Sequence, residues 1–233
     1  YEGIFMKNLK TRLAVLAISF VSFLGIQSAN SASLEGLSIG LGYNAGVFMG
    51  TGKETSTSGA GTKRNVDSEE TGVFQDSISS AFIEYNVGMV SFGVEYYLED
   101  IQTPENTNSQ RTSVEAGALQ ENKVKASFQD HTTVYANLNI TPNAYLKLGY
   151  VMTDVATEES LATGGAYPNV DTTGYTVGVG VQHTADNGFF VRVEATASEY
   201  DNVSASNSNE SDKQVSVTNM YGAAASLKVG KSF

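Results

Sequence analysis

The sequence ends with Y-G-A-A-A-S-L-K-V-G-K-S-F, residues 221–233. Its odd-numbered positions form one mostly apolar face: Tyr221, Ala223, Ala225, Leu227, Val229, Lys231 and Phe233. The even-numbered positions carry only glycine, alanine, serine and lysine. Alternation with a period of two is typical of a β-strand that has one apolar face. The segment therefore predicts a strand, and Phe233 gives that strand an aromatic end.

Seven segments upstream alternate in the same way. They are residues 37–49, 77–87, 90–98, 127–140, 144–153, 174–182 and 189–199, and an eighth runs from about residue 215 to the end. Most of them are near the 9–11 residues that a tilted membrane strand needs. The sequence therefore predicts an all-β fold with eight strands.

The connections between these segments alternate in length. Residues 50–76, 99–125, 154–173 and 200–214 are long connections, whereas 86–89, 141–143 and 183–188 are short. Outer-membrane barrels have long extracellular loops on one side and short periplasmic turns on the other. We therefore expect an eight-stranded antiparallel up-and-down transmembrane β-barrel with both termini in the periplasm.

Alternation alone leaves open which face is buried, because a soluble sandwich or a ligand-binding barrel would hide its apolar face inside. Three features favour lipid outside: an export signal combined with the Phe233 end, charged residues on the polar face, and outward aromatics near the strand ends. Those aromatics are Tyr96, Tyr150 and Tyr175 toward the long loops, and Tyr85, Phe189 and Phe233 toward the short turns. Such a pattern is typical of two interfacial girdles.

Residues 6–32 predict a cleaved signal peptide. Lys7, Lys10 and Arg12 precede an apolar run over residues 13–26, and small residues follow, with cleavage predicted after Ser31 or Ala32. A retained anchor is the alternative, but the apolar run is shorter than the roughly 20 residues of a membrane-spanning helix. Residues 1–5 are interpreted as upstream, non-native sequence, and residues 33–233 as the barrel domain.

Composition excludes several functions. The chain has 14 Lys+Arg and 25 Asp+Glu; removing residues 1–32 takes away three basic residues and one acidic residue, which leaves 11 and 24, a net charge of −13. Such acidity argues against nucleic acid, whose phosphates would repel it. The absence of cysteine excludes disulfides and thiolate metal sites.

Six charged residues fall on the predicted inner face and sum to zero charge. They are Glu84, Glu95, Lys147, Arg192, Glu194 and Lys228. Buried charges must pair or stay hydrated, and we predict Glu194–Lys228 as the first pair, with Arg192 and Lys147 serving Glu84 and Glu95. Because eight strands leave an interior that side chains fill, we expect a largely plugged lumen; gating or permeation is the alternative.

Together these features resemble the small outer-membrane β-barrel proteins, namely the OmpA membrane domain and OmpX-like barrels. The resemblance rests on the signal peptide, the alternating strands, the long loops, the ionic inner face and the final V-G-K-S-F. It implies that paired charges fill the lumen, and it matches the six residues by type and facing. The periplasmic cell-wall-binding domain of full-length OmpA has no counterpart in this sequence, so cell-wall anchoring is not implied.

The sequence predicts no enzyme, cofactor or metal site. Some small outer-membrane barrels are lipid A-modifying enzymes that use histidine with serine, and His131 near the outer rim is the residue that raises this alternative. Catalysis would also need a positioned nucleophile and orienting group. Acidic runs at residues 67–70 and 158–159 could attract divalent cations, but they match no ligand-loop spacing and are interpreted as solvated loops.

The sequence therefore predicts an integral outer-membrane protein with a structural or surface-exposed, adhesion- or recognition-like role. Its expected partners are outer-membrane lipids, lipopolysaccharide and an extracellular ligand or surface at the long loops. The barrel-assembly machinery is expected to recognise the closing strand through Tyr221, Leu227, Val229 and Phe233. The alternative function is a narrow passive channel for ions or very small solutes.

Overall fold

A computed structural model describes residues 35–56, 67–111, 119–161, 165–209 and 213–233. Residues 1–5 and the predicted signal peptide, residues 6–32, lie outside the described residues. Within the described ranges, no helix has the length and apolarity needed to cross a membrane.

The described residues form strands that pair into one antiparallel sheet. These strands are β1 (Leu37–Ser56), β2 (Asp67–Val87), β3 (Val90–Tyr97), β4 (Ile101–Gln102), β5 (Asn106–Arg111), β6 (Leu119–Thr141), β7 (Ala144–Leu161), β8 (Val170–Thr184), β9 (Phe189–Tyr200), β10 (Val203–Ser206) and β11 (Lys213–Ser232). Eight of them close a ring in the order β1-β2-β3-β6-β7-β8-β9-β11 and back to β1. The predicted eight-stranded up-and-down barrel is confirmed, and each predicted segment coincides with one ring strand except at its ends.

The barrel closes between β11 and β1, as the final segment of the sequence predicts. The ladder runs from Ser38↔Ser232 to Met49↔Tyr221 without interruption. Beyond it, the Phe233 amide donates to the Leu37 carbonyl at 2.9 Å, and the Gly36 amide donates to the Phe233 carbonyl at 2.9 Å. Closure satisfies backbone groups that an open edge would leave without partners in lipid.

Deleting Phe233 is expected to reduce outer-membrane assembly while leaving export intact. The deletion removes both backbone hydrogen bonds beyond the ladder and an aromatic ring that lies 5.1 Å from the Lys231 ammonium. The amount of folded protein can be measured from its heat-modifiable mobility on gels. Phe189→Ala is the matched control, because it removes an exposed aromatic from the same end and leaves the closing ladder untouched. Equal amounts of folded protein with and without Phe233 would refute the anchoring role.

The outer surface of the ring is apolar. Leu148 is 61% exposed and Val179 is 56% exposed, and similar side chains are exposed on every ring strand. The predicted outer girdle residues Tyr96, Tyr150 and Tyr175 are exposed, and Tyr150 packs edge-to-face on Tyr175 at 5.5 Å. Exposed apolar surface on this scale marks a membrane contact.

The outer connections are shorter than the sequence suggests. Residues 50–76 were predicted as one loop, yet β1 continues to Ser56 and pairs with β2 as far as Thr55↔Asp67. β6 and β7 likewise stay paired as far as Asn122↔Leu161. These segments contain few apolar residues, so they lack the alternation that marks a membrane strand, while their main chains continue the hydrogen-bond ladder. The barrel wall therefore extends outward as sheet, and β4, β5 and β10 add short pairings to it.

Candidate functional site

The six charged residues predicted to line the lumen all point into the barrel. Each is at most 4% exposed, and they come from six positions on five strands, β2, β3, β7, β9 and β11. They form two ion-pair groups at mid-barrel. Because little water reaches these side chains, other protein groups must stabilise their charges.

The first group contains four residues and spans the lumen. The Lys228 ammonium lies 3.0 Å from Glu194 Oε1 and 2.6 Å from Glu95 Oε2. The Lys147 ammonium lies 2.9 Å and 3.0 Å from the same two oxygens, respectively. Each lysine therefore bridges the same two glutamates, and the four side chains form a closed cycle across the barrel.

The second group is centred on Arg192 and Glu84. Two guanidinium nitrogens of Arg192 donate to the two carboxylate oxygens of Glu84, each at 3.0 Å. Gln182 Oε1 accepts from Arg192 Nε at 2.9 Å and from a terminal nitrogen at 2.7 Å. Tyr135 and Asn137 also donate to Glu84 at 3.1 Å and 2.9 Å. A bidentate arginine–carboxylate pair with such support is among the stronger and more geometrically specific contacts in proteins.

Neutral side chains satisfy the remaining oxygens of the first group. Ser80 Oγ donates to Glu95 Oε1 at 2.8 Å, and Asn44 Nδ2 donates to Ser80 Oγ at 3.0 Å. The Tyr145 hydroxyl donates to Glu194 Oε2 at 2.6 Å. Each carboxylate oxygen of the three buried glutamates thus accepts at least one hydrogen bond, as buried charges require.

Aromatic rings and glycines fill the space around the network. Arg192 lies 5.1–5.4 Å from the ring centres of Phe82, Tyr145 and Phe190. Gly180 faces Tyr145 across the β7–β8 ladder, and a Cβ atom at position 180 would lie 2.1 Å from the tyrosine ring. Only glycine leaves room for the ring at this height, so the inward glycine and tyrosine together close the lumen.

Sequence reasoning placed the six charges inward but did not find all of their partners. It paired Lys228 with Glu194 and did not foresee the contact between Lys228 and Glu95, because β11 and β3 are not adjacent in the ring. Gln182, Asn137 and Tyr145 were not identified from the sequence as partners of the charged residues. The alternation of their strands places these three residues on the inner face, level with the charged residues, and this was the sequence signal that could have identified them.

A layer of aromatic side chains lies on the outer side of this network. His131 Nε2 is 3.2 Å from the Tyr200 hydroxyl, and the His131 ring contacts the Tyr97 ring edge-on at 4.3 Å. A cavity of about 30 Å³ lies beside His131 and borders Lys147. Its volume and the polar side chains in its lining, such as Thr133, Thr176 and Ser198, suit one or two water molecules. His131 does face inward, as its parity predicts.

Above this layer, two β-bulges reverse the facing of the strands. One lies in β6 between Gln129 and Thr132, and the other in the β1–β11 ladder between Met49 and Thr51. Asp130 and Asn219 adopt positive φ angles of 50° and 52° at these positions. The extra residue in each bulge exchanges the inner and outer faces beyond it.

The cross-strand pairs show which side chains the bulges turn inward. Phe128 pairs with inward Val155, although its even number matches outward Val134 below the bulge. Val217 pairs with Gly52, although its odd number matches outward Tyr221. Strict alternation along these strands would therefore assign both apolar side chains to the wrong face.

The inward-turned residues line a vestibule of about 1070 Å³ at the outer end of the barrel. Its inner walls include Phe48, Phe74, Ile101, Phe128, Val155 and Met220. Charged residues occupy the walls nearer the outside, where Lys213 pairs with Glu54 at 3.0 Å. Within the ranges that the structure describes, no group of three or more histidine, aspartate or glutamate residues could hold a metal ion.

Farther out, exposed charged side chains lie on the extended wall. Lys123 on β6 donates to Glu105 at 3.1 Å, which raises the pKa of Lys123 above its ordinary value. Both side chains are about half exposed, so the pair contributes little to stability. In the first acidic run Glu69 and Glu70 are exposed, as predicted. In the second run Glu158 is exposed, whereas Glu159 is half-buried and accepts a hydrogen bond from the Tyr167 amide.

Comparison with known proteins supports the fold. No protein-family model matches the chain, and no curated protein matches it. Among solved structures, the outer membrane protein OprG from Pseudomonas aeruginosa matches with a TM-score of 0.53 and 11% identity, over 85% of this chain and 97% of that chain. Two others match with lower TM-scores: neisserial surface protein A (0.35, 11% identity, 82% and 97% covered) and the Escherichia coli outer membrane protease OmpT (0.43, 11%, 84% and 97%).

Of these three, the likeness to OprG supports an argument, and at 11% identity that argument concerns the fold alone. The fold agrees with the distribution of side chains, because an apolar belt surrounds a polar and ionic interior. This combination requires lipid outside the ring. The chain therefore has the fold of the small eight-stranded outer-membrane β-barrels, with an apolar outer face suited to lipid.

Proposed function

We propose that this protein is a structural, surface-exposed barrel with an adhesion- or recognition-like role and a lumen closed to ions and solutes. The lumen-spanning cycle of Lys147, Lys228, Glu95 and Glu194 is the observation that carries the closure. An ion that passed through would have to break hydrogen bonds between groups that are at most 4% exposed. Such groups have little water to replace their partners, so opening is costly.

The recognition-like role rests on the wall that extends outward from the membrane belt. β1, β2, β6 and β7 all continue beyond the level of the exposed girdle tyrosines. The side chains there include exposed Glu69, Gln75 and Lys123, which can hydrogen-bond to an extracellular partner. A sheet fixed by a backbone ladder presents such groups with less entropic cost than a flexible loop.

The proposed role is not enzymatic. In the lipid A-modifying alternative, the histidine would have to hydrogen-bond to the serine that it activates. The described hydrogen bond of His131 joins it to the Tyr200 hydroxyl instead. Lipid A from cells that overproduce the protein should therefore have the same masses as lipid A from cells without it. A new acyl-chain loss or gain would replace this part of the proposal with a lipid-modifying activity.

Permeation of proteoliposomes distinguishes a closed barrel from a channel. Liposomes containing the purified, folded protein should swell in a small sugar no faster than empty liposomes, while liposomes with a general porin swell rapidly. Rapid swelling with the wild-type protein would overturn the closed lumen and favour the narrow-channel alternative. Binding of protein-coated and uncoated beads to host or bacterial surfaces then tests the recognition-like role, which equal binding would contradict.

A further inference from the structure

The interior of the barrel changes character above the ionic network. At mid-barrel the aromatic rings surround two ion-pair groups, whereas the inner walls of the vestibule are aromatic and aliphatic groups with no buried ion pair among these described side chains. Ile101 is 2% exposed and Met220 is 4% exposed, and Phe48 stacks on Phe74 at 5.4 Å. If the outer opening of the barrel were only filled with water, an apolar wall would be unfavourable, because apolar surface in contact with water costs free energy.

The two bulges are a second, independent feature of the same region. Each interrupts a ladder and holds a non-glycine residue at positive φ, Asp130 at 50° and Asn219 at 52°. Such conformations are costly and are concentrated at functional sites. Their common consequence is that Phe128 and Val217 enter the vestibule, although regular strands would turn them away from it.

The size and charge of the vestibule indicate what it can hold. Its volume of about 1070 Å³ is slightly above the roughly 300–1,000 Å³ of small-molecule sites, which are mostly apolar. The Lys213–Glu54 pair neutralises itself within the wall. In the whole lining, Lys53 and Lys213 stand against Glu54, Glu69, Glu70 and Glu105, so the cavity keeps an excess of negative charge, which disfavours anions.

We propose that the vestibule is a binding site for small, neutral, mainly apolar molecules. The walls exclude water from the ligand, and burial of apolar surface provides the affinity. The aromatic layer at Tyr200 and His131 and the ionic network beneath it form a floor, so the site holds its ligand at the outer end. This inference goes beyond the structural and recognition-like role and does not depend on it.

The test uses two probes that share a ring system and differ in charge. N-phenyl-1-naphthylamine is neutral, and 8-anilino-1-naphthalenesulfonate carries a sulfonate on the same skeleton. Both fluoresce more strongly in apolar surroundings, so each is titrated into protein in lipid nanodiscs and into empty nanodiscs. The wild-type protein should show saturable binding of the neutral probe above the lipid background, and at least tenfold weaker binding of the anionic probe.

Gly72→Trp is the variant that should fill the vestibule. Gly72 lines the cavity, and a Cβ atom at this position would meet no atom within 4 Å. The matched control is Gln75→Trp, since position 75 is exposed on the opposite face of the same strand. Direct excitation of the probes at wavelengths that tryptophan does not absorb keeps the two variants comparable. Ala126→Trp, on β6 rather than β2, provides a second way to fill the cavity.

We expect Gly72→Trp and Ala126→Trp to weaken binding of the neutral probe at least tenfold and Gln75→Trp to leave it unchanged, in samples whose heat-modifiable mobility shows that each is folded. Probe fluorescence no higher than that of empty nanodiscs would show that the protein has no such binding site. Unchanged binding in folded Gly72→Trp or Ala126→Trp would place the probe elsewhere and also overturn it. Equal affinity for the neutral and anionic probes would contradict the assigned ligand class.

Discussion

Replacing Glu84 with alanine should lower the free energy of unfolding by about 3–5 kcal/mol, the usual effect of breaking a buried ion pair. Arg192 would lose both of its carboxylate contacts at 3.0 Å and would keep only the Gln182 carbonyl oxygen as an acceptor among its described hydrogen bonds. At 3% exposure the guanidinium has little water to replace them. Arg192→Ala should have an effect of similar size, because Glu84 would then be the uncompensated charge.

Removing both charges should be less damaging than removing either one. Glu84→Leu combined with Arg192→Leu leaves no unpaired charge in this ion-pair group, and apolar replacements of buried pairs are often neutral. Unfolding by urea, followed by heat-modifiable mobility, of wild type, Glu84→Leu, Arg192→Leu and the double variant gives the four corners of a double-mutant cycle. Glu69→Ala, at an exposed position, is the control and should change stability by less than about 0.5 kcal/mol. If both single substitutions left the free energy of unfolding unchanged, this ion pair would not stabilise the fold.

Val179→Arg should cost about 2–4 kcal/mol, the penalty for an arginine on the lipid face at the bilayer midplane. Val179 is 56% exposed and lies between Leu146 and Ala195 in the ladders on either side. The neighbouring position 180 faces the opposite way, toward Tyr145. The two positions therefore form a matched pair for testing which face meets lipid.

Spin labels report this facing directly. A label at position 179 should be accessible to oxygen in the bilayer, and a label at position 180 should not. A label at 180 also crowds Tyr145, so only folded protein with heat-modifiable mobility is compared. Lipid access at 180 and none at 179 would mean that the inner and outer faces have been exchanged.

The ring strands were predictable from the sequence because one physical requirement fixes their pattern. Lipid on one side and a narrow polar interior on the other force every second side chain to be apolar, as in Leu37, Ile39 and Leu41 on β1. Beyond the membrane belt the requirement disappears. The extensions of β1 and β2 are held by their backbone ladder, which leaves no trace in residue type, and so they looked like loops.

The bulges and the network were harder to predict, for different reasons. Nothing in the sequence around Asp130 or Asn219 identifies the inserted residue, so the apolar vestibule could not be inferred from alternation. Whether each charged side chain points inward or outward could be predicted, because the period-two alternation depends only on neighbouring residues in the same strand. Partners across the lumen, such as Lys228 and Glu95, depend on how the ring closes and on the shear between its strands, which no single segment specifies.

Single-channel current tests the central claim, that a salt-bridge cycle closes the lumen, most directly. Wild type, Glu194→Ala, Lys228→Ala and the double variant are recorded in planar bilayers. Removing Lys228 leaves Lys147 with two glutamates, and removing Glu194 leaves Glu95 with two lysines. The account predicts brief or no openings for wild type, longer cation-selective openings for Lys228→Ala, longer anion-selective openings for Glu194→Ala, and a wider lumen in the double variant. A large, steady wild-type current, or four identical traces, would contradict it.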